Sequence, residues 1–490
     1  MMNTRIHRRT VAVLALVFAC TLGFAQENIR QYVNMLKSSE PLKSGVWGIK
    51  AETADGRTIA EYNSEQKMTP ASNTKLLTTG TAIHSLGSDF KFETKIAYTG
   101  TIKNGVLDGD LYIVGGGDPT IGAGDEVAFP LDTTFARWMK IVTKAGIREI
   151  RGSVVGDGRF MKDATFAPWW EVDDFGWDYG AVTSGLNFNR NVQSFSVKPG
   201  AAVGANVVAQ PTYPVVPWMD YRYDATTSPA GNGDELTYEV TKLAHVARLA
   251  GRLAIDRGTV KENCTNRFSE LTCAYYFRNY LIRNGVVCDA YSDNATVPQN
   301  KLTVLGSSFS PSLADIIYQT NRISDNFYAE TLLLIQGQLS GGSATYDAGQ
   351  TAEKKAFGSL KVDTSYGIRK VDGSGLARAN YISPDFFVRF LKAMMSSPEY
   401  SAYLKSLPQP GKFGTLDNRV PQADAATKSR IHAKSGSMNG VRCYSGYITS
   451  KSGKPEDTII FSFLTNNVTA PTSQVSKICD DVMFLLSKEN

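Results

Sequence analysis

Between residues 91 and 284 the chain reads as β-rich, with short runs such as Leu111-Tyr112-Ile113-Val114 and Ser153-Val154-Val155 punctuated by glycines at Gly115-Gly116-Gly117 and Gly156. The flanks have a different pattern. Residues 45–62 alternate like two strands about Asp55-Gly56, and a helix is expected after Pro70, because proline followed by well-spaced apolar residues marks a helix start. Within the stretch, 211–232 is Pro/Gly/Tyr-rich without periodicity, strands resume near 236–249, and a helix is expected over 268–284. Beyond it come a strand at 302–305 and helical spacing from 313 to about 339, carried by Ile316, Ile317, Ile323, Phe327 and Leu332. Strands at 441–449 and 458–465 and an amphipathic helix at 472–486 close the chain. The expectation is an α/β domain split in sequence, 26–90 with 285–490, that holds inserted β-rich domains at 91–284. At 490 residues and 42% hydrophobic content, the chain is too long for one core and apolar enough for several.

Arg5, His7, Arg8 and Arg9 precede an apolar run from 11 to 24 that ends in Gly23-Phe24-Ala25, the pattern of a signal peptide over 1–25. The run falls short of the roughly 20 residues that span a bilayer. Lipidation at Cys20 fits poorly with Phe18 two residues ahead of it. An exported chain, periplasmic or in the cell envelope and without a stable membrane span once mature, is expected. Lys+Arg 52 against Asp+Glu 47 leaves +5, too even for a nucleic-acid footprint. Removing Cys20 leaves Cys264, Cys273, Cys288, Cys443 and Cys479, so at least one thiol stays free or pairs between molecules; Cys264 and Cys273 are near enough in sequence for a local disulfide. Cysteine spacing matches no zinc pattern and His7, His84, His245 and His432 are scattered, so neither metal nor cofactor is expected.

Acyl transfer without histidine needs a serine beside another base, and Ser-x-x-Lys at a helix start puts a lysine amine on the serine's face. Desolvation can lower that lysine's pKa until it serves as base. The motif occurs twice, at Ser64…Lys67 and Ser72…Lys75. Ser64 follows a strand among polar residues and reads as a solvated loop; Ser72 opens a helix with apolar residues behind it. Ser-Asp-Asn also occurs twice. Ser292-Asp293-Asn294 reads as a turn in a polar loop, whereas Ser324-Asp325-Asn326 lies within or between helices, where a hydroxyl and an amide can be held rigidly. Lys-Ser-Gly occurs at Lys43, Lys434 and Lys451. The last is a hairpin turn, the first has no partner structure, and Lys434 leads into a strand expected over 437–449.

In this order, and with Leu111 to Thr120, Tyr179-Gly180-Ala181 and Asp372-Gly373-Ser374-Gly375-Leu376-Ala377-Arg378-Ala379-Asn380 followed by Ser383-Pro384, the chain resembles the low-molecular-mass class C penicillin-binding proteins, the D-alanyl-D-alanine carboxypeptidase/endopeptidase group. It departs at Ala377, where serine is usual, and at Ser435, where threonine is usual. The resemblance implies a penicillin-binding/serine β-lactamase-like catalytic domain with inserted domains, and the long interval from Ser72 to Ser324 sets it apart from class A β-lactamases. It implies Ser72 as nucleophile, Lys75 as base, Ser324 as proton relay, Asn326 on the acyl-side amide, and Lys434 on the terminal carboxylate. Ser435, Gly436 and Ser437 would line the substrate, with backbone N–H groups of Ser72 and Ser437 facing the oxyanion. Asp174 would contact a diamino acid amine, and Arg378 is a further substrate-side candidate. Implied partners are peptidoglycan stem or cross-link peptides and β-lactams. The alternatives are a non-catalytic wall-binding protein of this fold, against which the intact motifs argue, and a β-lactamase-like hydrolase, against which slow β-lactam deacylation would argue.

Overall fold

The computed structural model describes residues 28–490; the leader expected at 1–25, Cys20 included, lies outside the described residues. Every residue of the strand Ile459–Asn466 is buried, so both faces of the sheet around it must be covered. It is the middle strand of a five-stranded antiparallel sheet ordered Ile431–Met438, Val441–Ile448, Ile459–Asn466, Val46–Thr53, Thr58–Tyr62. The alternation divides its side chains. Phe461 and Phe463 pack with Trp47 and Ile49 under Val33, Leu36, Val482 and Met483 of the helices Ile29–Leu36 and Thr472–Leu486. Ile460 and Leu464 face Leu76, Ile83, Phe386 and Leu391 of the helices Thr74–Leu86 and Pro384–Met394. N-terminal and C-terminal pieces therefore share one sheet.

The chain leaves this body at Phe92 and returns at Ser310: Ser310 N–H donates to the Phe92 carbonyl at 3.0 Å, and Phe92 N–H to Ser310 Oγ at 3.0 Å. Between them a seven-stranded mixed sheet carries the helices Leu131–Lys144 and Ser269–Arg283, which bury Phe135, Trp138, Phe277 and Leu281 against it. The intervening part is thus mixed α/β around this sheet, and the helix Leu131–Lys144 was not foreseen. The strands Val287–Ser292 and Thr303–Phe309, expected with the 285–490 piece, instead pair with Glu149–Asp157 and Glu93–Tyr98, because the returning chain completes the sheet that the outgoing chain began. A three-stranded and a four-stranded sheet enclose a separate small core around Phe195, Val197, Leu249 and Leu253.

Three further expectations change. The helical run over 313–339 breaks into Leu313–Arg322 and Asn326–Gly341, with Ser324 at φ +65° and Asp325 capping the second helix through the Tyr328 N–H. The single strand over 437–449 is a hairpin turning at Asn439-Gly440, with Gly440 at φ +74°, the residue pair that two-residue hairpin loops favour. Cys264 lies in the small core and Cys273 under the seven-stranded sheet, so no local disulfide joins them; the five described cysteines are buried free thiols. No described helix is long and apolar enough to cross a membrane, and no cluster of metal-ligating side chains occurs among the described residues.

Candidate active site

Ser72 sits in the tight turn Ala71–Asn73 that feeds the helix Thr74–Leu86. Ala71 has φ +47°, a left-handed conformation that costs a residue with a Cβ about 1 kcal/mol or more. Its neighbours leave it little alternative. A Cβ on Gly375 would lie 1.9 Å from the Ala71 carbonyl oxygen, and one on Gly436 would lie 2.4 Å from that of Pro70. Both glycines let backbone press directly on the serine turn. From the other side Asn73 Nδ2 donates to Ser445 Oγ at 2.8 Å, which in turn bonds Ser462 at 2.8 Å.

Lys75, one helical turn on, points its amine at three oxygens: Ser72 Oγ at 3.0 Å, Asn326 Oδ1 at 2.7 Å and the Ser374 carbonyl at 2.8 Å. Asn326 opens the helix Asn326–Gly341, and its Nδ2 donates to the Tyr179 carbonyl at 3.1 Å. Ser324, in the break before that helix, accepts from Lys434 Nζ at 2.9 Å, and Lys434 also reaches the Ser435 carbonyl at 2.8 Å. Asp325 is anchored by an ion pair with Arg190 at 2.8 Å. A cavity of about 260 Å³, lined by Tyr179, Arg190, Ser324 and Asn326, adjoins these groups.

Burial dominates the electrostatics. It brings Lys75 down to about 8, against the pull of Glu330, Asp372 and Asp325, which favour the charged form. Lys434 lies well below the usual lysine range because it is buried and because Lys75 is near. Glu330, raised to about 7 by burial and then by Asp372, accepts the N–H groups of Gly373 at 2.9 Å and Ser374 at 2.7 Å. Asp372 accepts from Gly375, Ala377, Asn380 and the Trp170 indole. The glycine-rich loop that presents the Ser374 carbonyl to Lys75 is therefore built on two buried carboxylates.

The structure thus gathers the five residues as two hydrogen-bonded sets, Ser72, Lys75 and Asn326 in one and Ser324 and Lys434 in the other, close enough that Lys75 acts electrostatically on Lys434. Ser435, Gly436 and Ser437 follow Lys434 on the edge strand, with Ser437 exposed. Asp174 lies in a separate turn, where its carboxylate accepts the Glu171 N–H at 3.0 Å, and burial raises its pKa. Arg378 pairs with Glu171 at 3.3 Å and donates to the Asn439 carbonyl at 3.4 Å, with no hydrogen bond to any of the five. Ser64 is buried, which corrects the solvated-loop expectation: the strand end tucks its hydroxyl 2.6 Å from Glu61. Ser292 closes a local turn with the Asn294 N–H, Lys43 pairs with Glu40 on the surface, and Ser452 lies in the turn after Val441–Ile448. Asn73, Arg190, Glu330 and the carboxylate role of Asp372 were missed; a polar residue four positions after Asn326, on the same helical face, was the available signal for Glu330.

The two hydroxyl–lysine pairs, Ser72 with Lys75 and Ser324 with Lys434, suit a serine-dependent acyl-transfer enzyme. Residues 29–487 match the D-Ala-D-Ala carboxypeptidase 3 (S13) family, and the chain belongs to it. The D-alanyl-D-alanine carboxypeptidase of Actinomadura sp. is 29% identical over 466 residues, covering 92% of this chain and 83% of the relative. The D-alanyl-D-alanine carboxypeptidase DacB of Haemophilus influenzae is 24% identical over 469 residues, covering 94% and 93%. Among solved structures, penicillin binding protein 4 from Haemophilus influenzae superposes with TM-score 0.78 at 22% identity, covering 93% of this chain and 98% of that one. The same protein complexed with a β-lactam gives TM-score 0.76 at 21% identity, with coverage of 93% and 98%. The activity class that follows from the family is that of a serine-type D-Ala-D-Ala carboxypeptidase.

Proposed function

We propose that Ser72 attacks the carbonyl of the penultimate D-alanine with Lys75 as its base, forming an acyl-enzyme that water then resolves. One observation carries this reading. Asn326 Oδ1 and the Ser374 carbonyl can only accept, so they take the two N–H bonds of a neutral Lys75 amine, and its lone pair is left for the Ser72 hydroxyl at 3.0 Å. Ser324, bonded to Lys434, is placed to pass the proton to the leaving amine. Asn326 offers its amide to the acyl side, and Lys434 attracts the terminal carboxylate. The backbone N–H groups of Ser72 and of Ser437, on the free edge of the sheet, would face the oxyanion.

The substrates in this reading are stem or cross-link peptides of peptidoglycan, and β-lactams acylate the same serine because they mimic D-Ala-D-Ala. Asp174, near the Tyr179 segment, would meet a diamino acid side chain, with Arg378 at its rim. The catalytic body would comprise 26–90 with about 311–490, and the sheets between them would be inserted. The leader over 1–25 would direct export to the cell envelope. A fluorescent penicillin should label the protein, with the label mapped to Ser72 by mass spectrometry. Ser72→Ala should abolish labelling and D-Ala release, and Ser64→Ala should leave both near wild type. Labelling that survives Ser72→Ala sinks the assignment.

A further inference from the structure

A second, larger cleft of about 930 Å³ opens beside the segment that follows strand Glu149–Asp157. Its size is in the range of ligand sites, and none of the five clustered residues lines it. The strip from Tyr179 to Ser184 borders both cavities. On one side of that strip the Tyr179 carbonyl accepts from Asn326, while Val182, Thr183 and Ser184 line the second cleft, and Thr183 is bonded to Thr331 of the Asn326–Gly341 helix at 2.9 Å.

Two cations in this cleft lack a carboxylate partner. Arg267 is only 9% exposed, yet no acidic group pairs with it: Nη2 donates to the Phe175 carbonyl at 2.7 Å, Nε has no partner, and the guanidinium lies 4.1 Å over the Phe166 ring. A buried guanidinium without a counter-charge is costly unless something completes it. Lys162, exposed on the rim, likewise makes no ion pair among the described residues. Of the two carboxylates that line the cleft, Glu270 takes the Ser184 hydroxyl at 2.6 Å and pairs with Lys242 at 3.4 Å, while Asp293 makes no ion pair among the described residues. Phe166 and Phe175, with ring centroids 4.2 Å apart, give an apolar side. Asn294, from the Ser-Asp-Asn triplet that the first site left unused, adds an amide.

We infer that this cleft is a second binding site for a peptide arm of a wall fragment, whose free carboxylate pairs with Arg267 and Lys162. A single carboxylate on a chain with amides fits this lining. A polyphosphate would place excess negative charge against Glu270 and Asp293. The choice of a wall peptide rests on the functional reading above; a peptide seated here and at Ser72 would straddle the Tyr179–Ser184 strip, as two arms of one cross-linked fragment can.

The test first blocks Ser72 with penicillin and then titrates the acylated protein calorimetrically. The probes are a soluble disaccharide-tripeptide and the same fragment with its carboxyls amidated. The free-acid fragment should bind, the amidated one about tenfold or more weaker, and Arg267→Gln and Lys162→Glu should each weaken the free acid by about tenfold. Lys162 is exposed, so its variant keeps the test open if Arg267→Gln fails to fold. No binding to the acylated protein, equal binding of the two fragments, or indifference to both substitutions overturns the inference. If penicillin does not acylate the protein, the functional reading fails instead, and the same titration on the unmodified protein still decides the cleft.

Discussion

Lys75 is held between burial, which favours its neutral form, and three carboxylates that favour its charge, and the balance falls at about 8. In the proposed chemistry only the neutral amine accepts the Ser72 proton. Acylation by a penicillin should therefore rise about tenfold per pH unit below that value and level off above it. Glu330 is the first of the three carboxylates and, raised to about 7, is largely ionised where Lys75 titrates. Glu330→Gln removes a charge that stabilises the ammonium, so the Lys75 pKa falls and the midpoint moves to lower pH, by roughly half to one unit. The plateau should also drop, because Gly373 and Ser374 donate to different carboxylate oxygens and glutamine puts an NH2, itself a donor, in one of those two places. Stopped-flow acylation across pH 5 to about 10 reads both effects; a midpoint that stays or moves alkaline refutes the coupling. Ser72 and Lys75 were legible because a one-turn spacing is visible in any helix. Glu330 was less so: its place four residues after Asn326 was the one signal, and burial alone does not separate it from Glu353, which is also buried yet paired with Lys370 at 2.8 Å.

The helix break at Ser324 makes an ordinary triplet into a site element. Spacing of apolar residues predicts a continuous helix there, since Ile316, Ile323 and Phe327 suit one face, but periodicity cannot register the left-handed residue that ends one helix and lets Asp325 cap the next. Asp325 carries two loads: its Oδ1 caps the helix through Tyr328 N–H at 3.0 Å, and its Oδ2 pairs with Arg190 at 2.8 Å. Asp325→Ala removes both, a cap worth about 1 kcal/mol and a largely buried ion pair whose breakage costs roughly 3 to 5 kcal/mol when the partner is left unpaired, less here because Arg190 keeps some solvent. Unfolding free energy should fall by about 3 kcal/mol. Asp325→Asn keeps a good cap and should lose about 1 kcal/mol less than the alanine variant. Urea melts of both variants decide this; equal losses would mean the ion pair alone holds the break. The same limit explains two other misses. Asn439-Gly440 was absorbed into one long strand although the pair is a hairpin signal, and the Phe135, Trp138, Val142 spacing of a helix was hidden in glycine-rich surroundings that read as β.

At the scale of the molecule, the order of the motifs indicated that distant pieces meet, and the chain's exit and return at Phe92 and Ser310 show how. Which arm of the intervening part reaches the site was not legible, because Tyr179 acts through a backbone carbonyl and Arg190 through a pairing that spans the two bodies. That arm also binds the bodies mechanically: Trp170 donates to Asp372, and Ala181 and Val192 join the core that holds Leu76 and Leu332. The small sandwich has no such tie in its own core, which draws only on residues of the 195–264 stretch with Trp177 at its margin. Locally built units with small cores open at lower denaturant than units stitched across the chain. The five thiols report on this directly, since Cys264 lies in the sandwich, Cys273 and Cys288 under the seven-stranded sheet, and Cys443 and Cys479 on opposite faces of the five-stranded sheet. All five are buried, and burial pushes each thiol up, so the native protein should resist a thiol reagent and a reductant should leave its melting temperature unchanged. In pulsed labelling at rising urea, read by mass spectrometry, Cys264 should react at lower urea than Cys443. Simultaneous labelling of all five would show a single cooperative unit, and Cys443 labelling first would mean that the five-stranded body, with the site it carries, is the weaker part of the molecule.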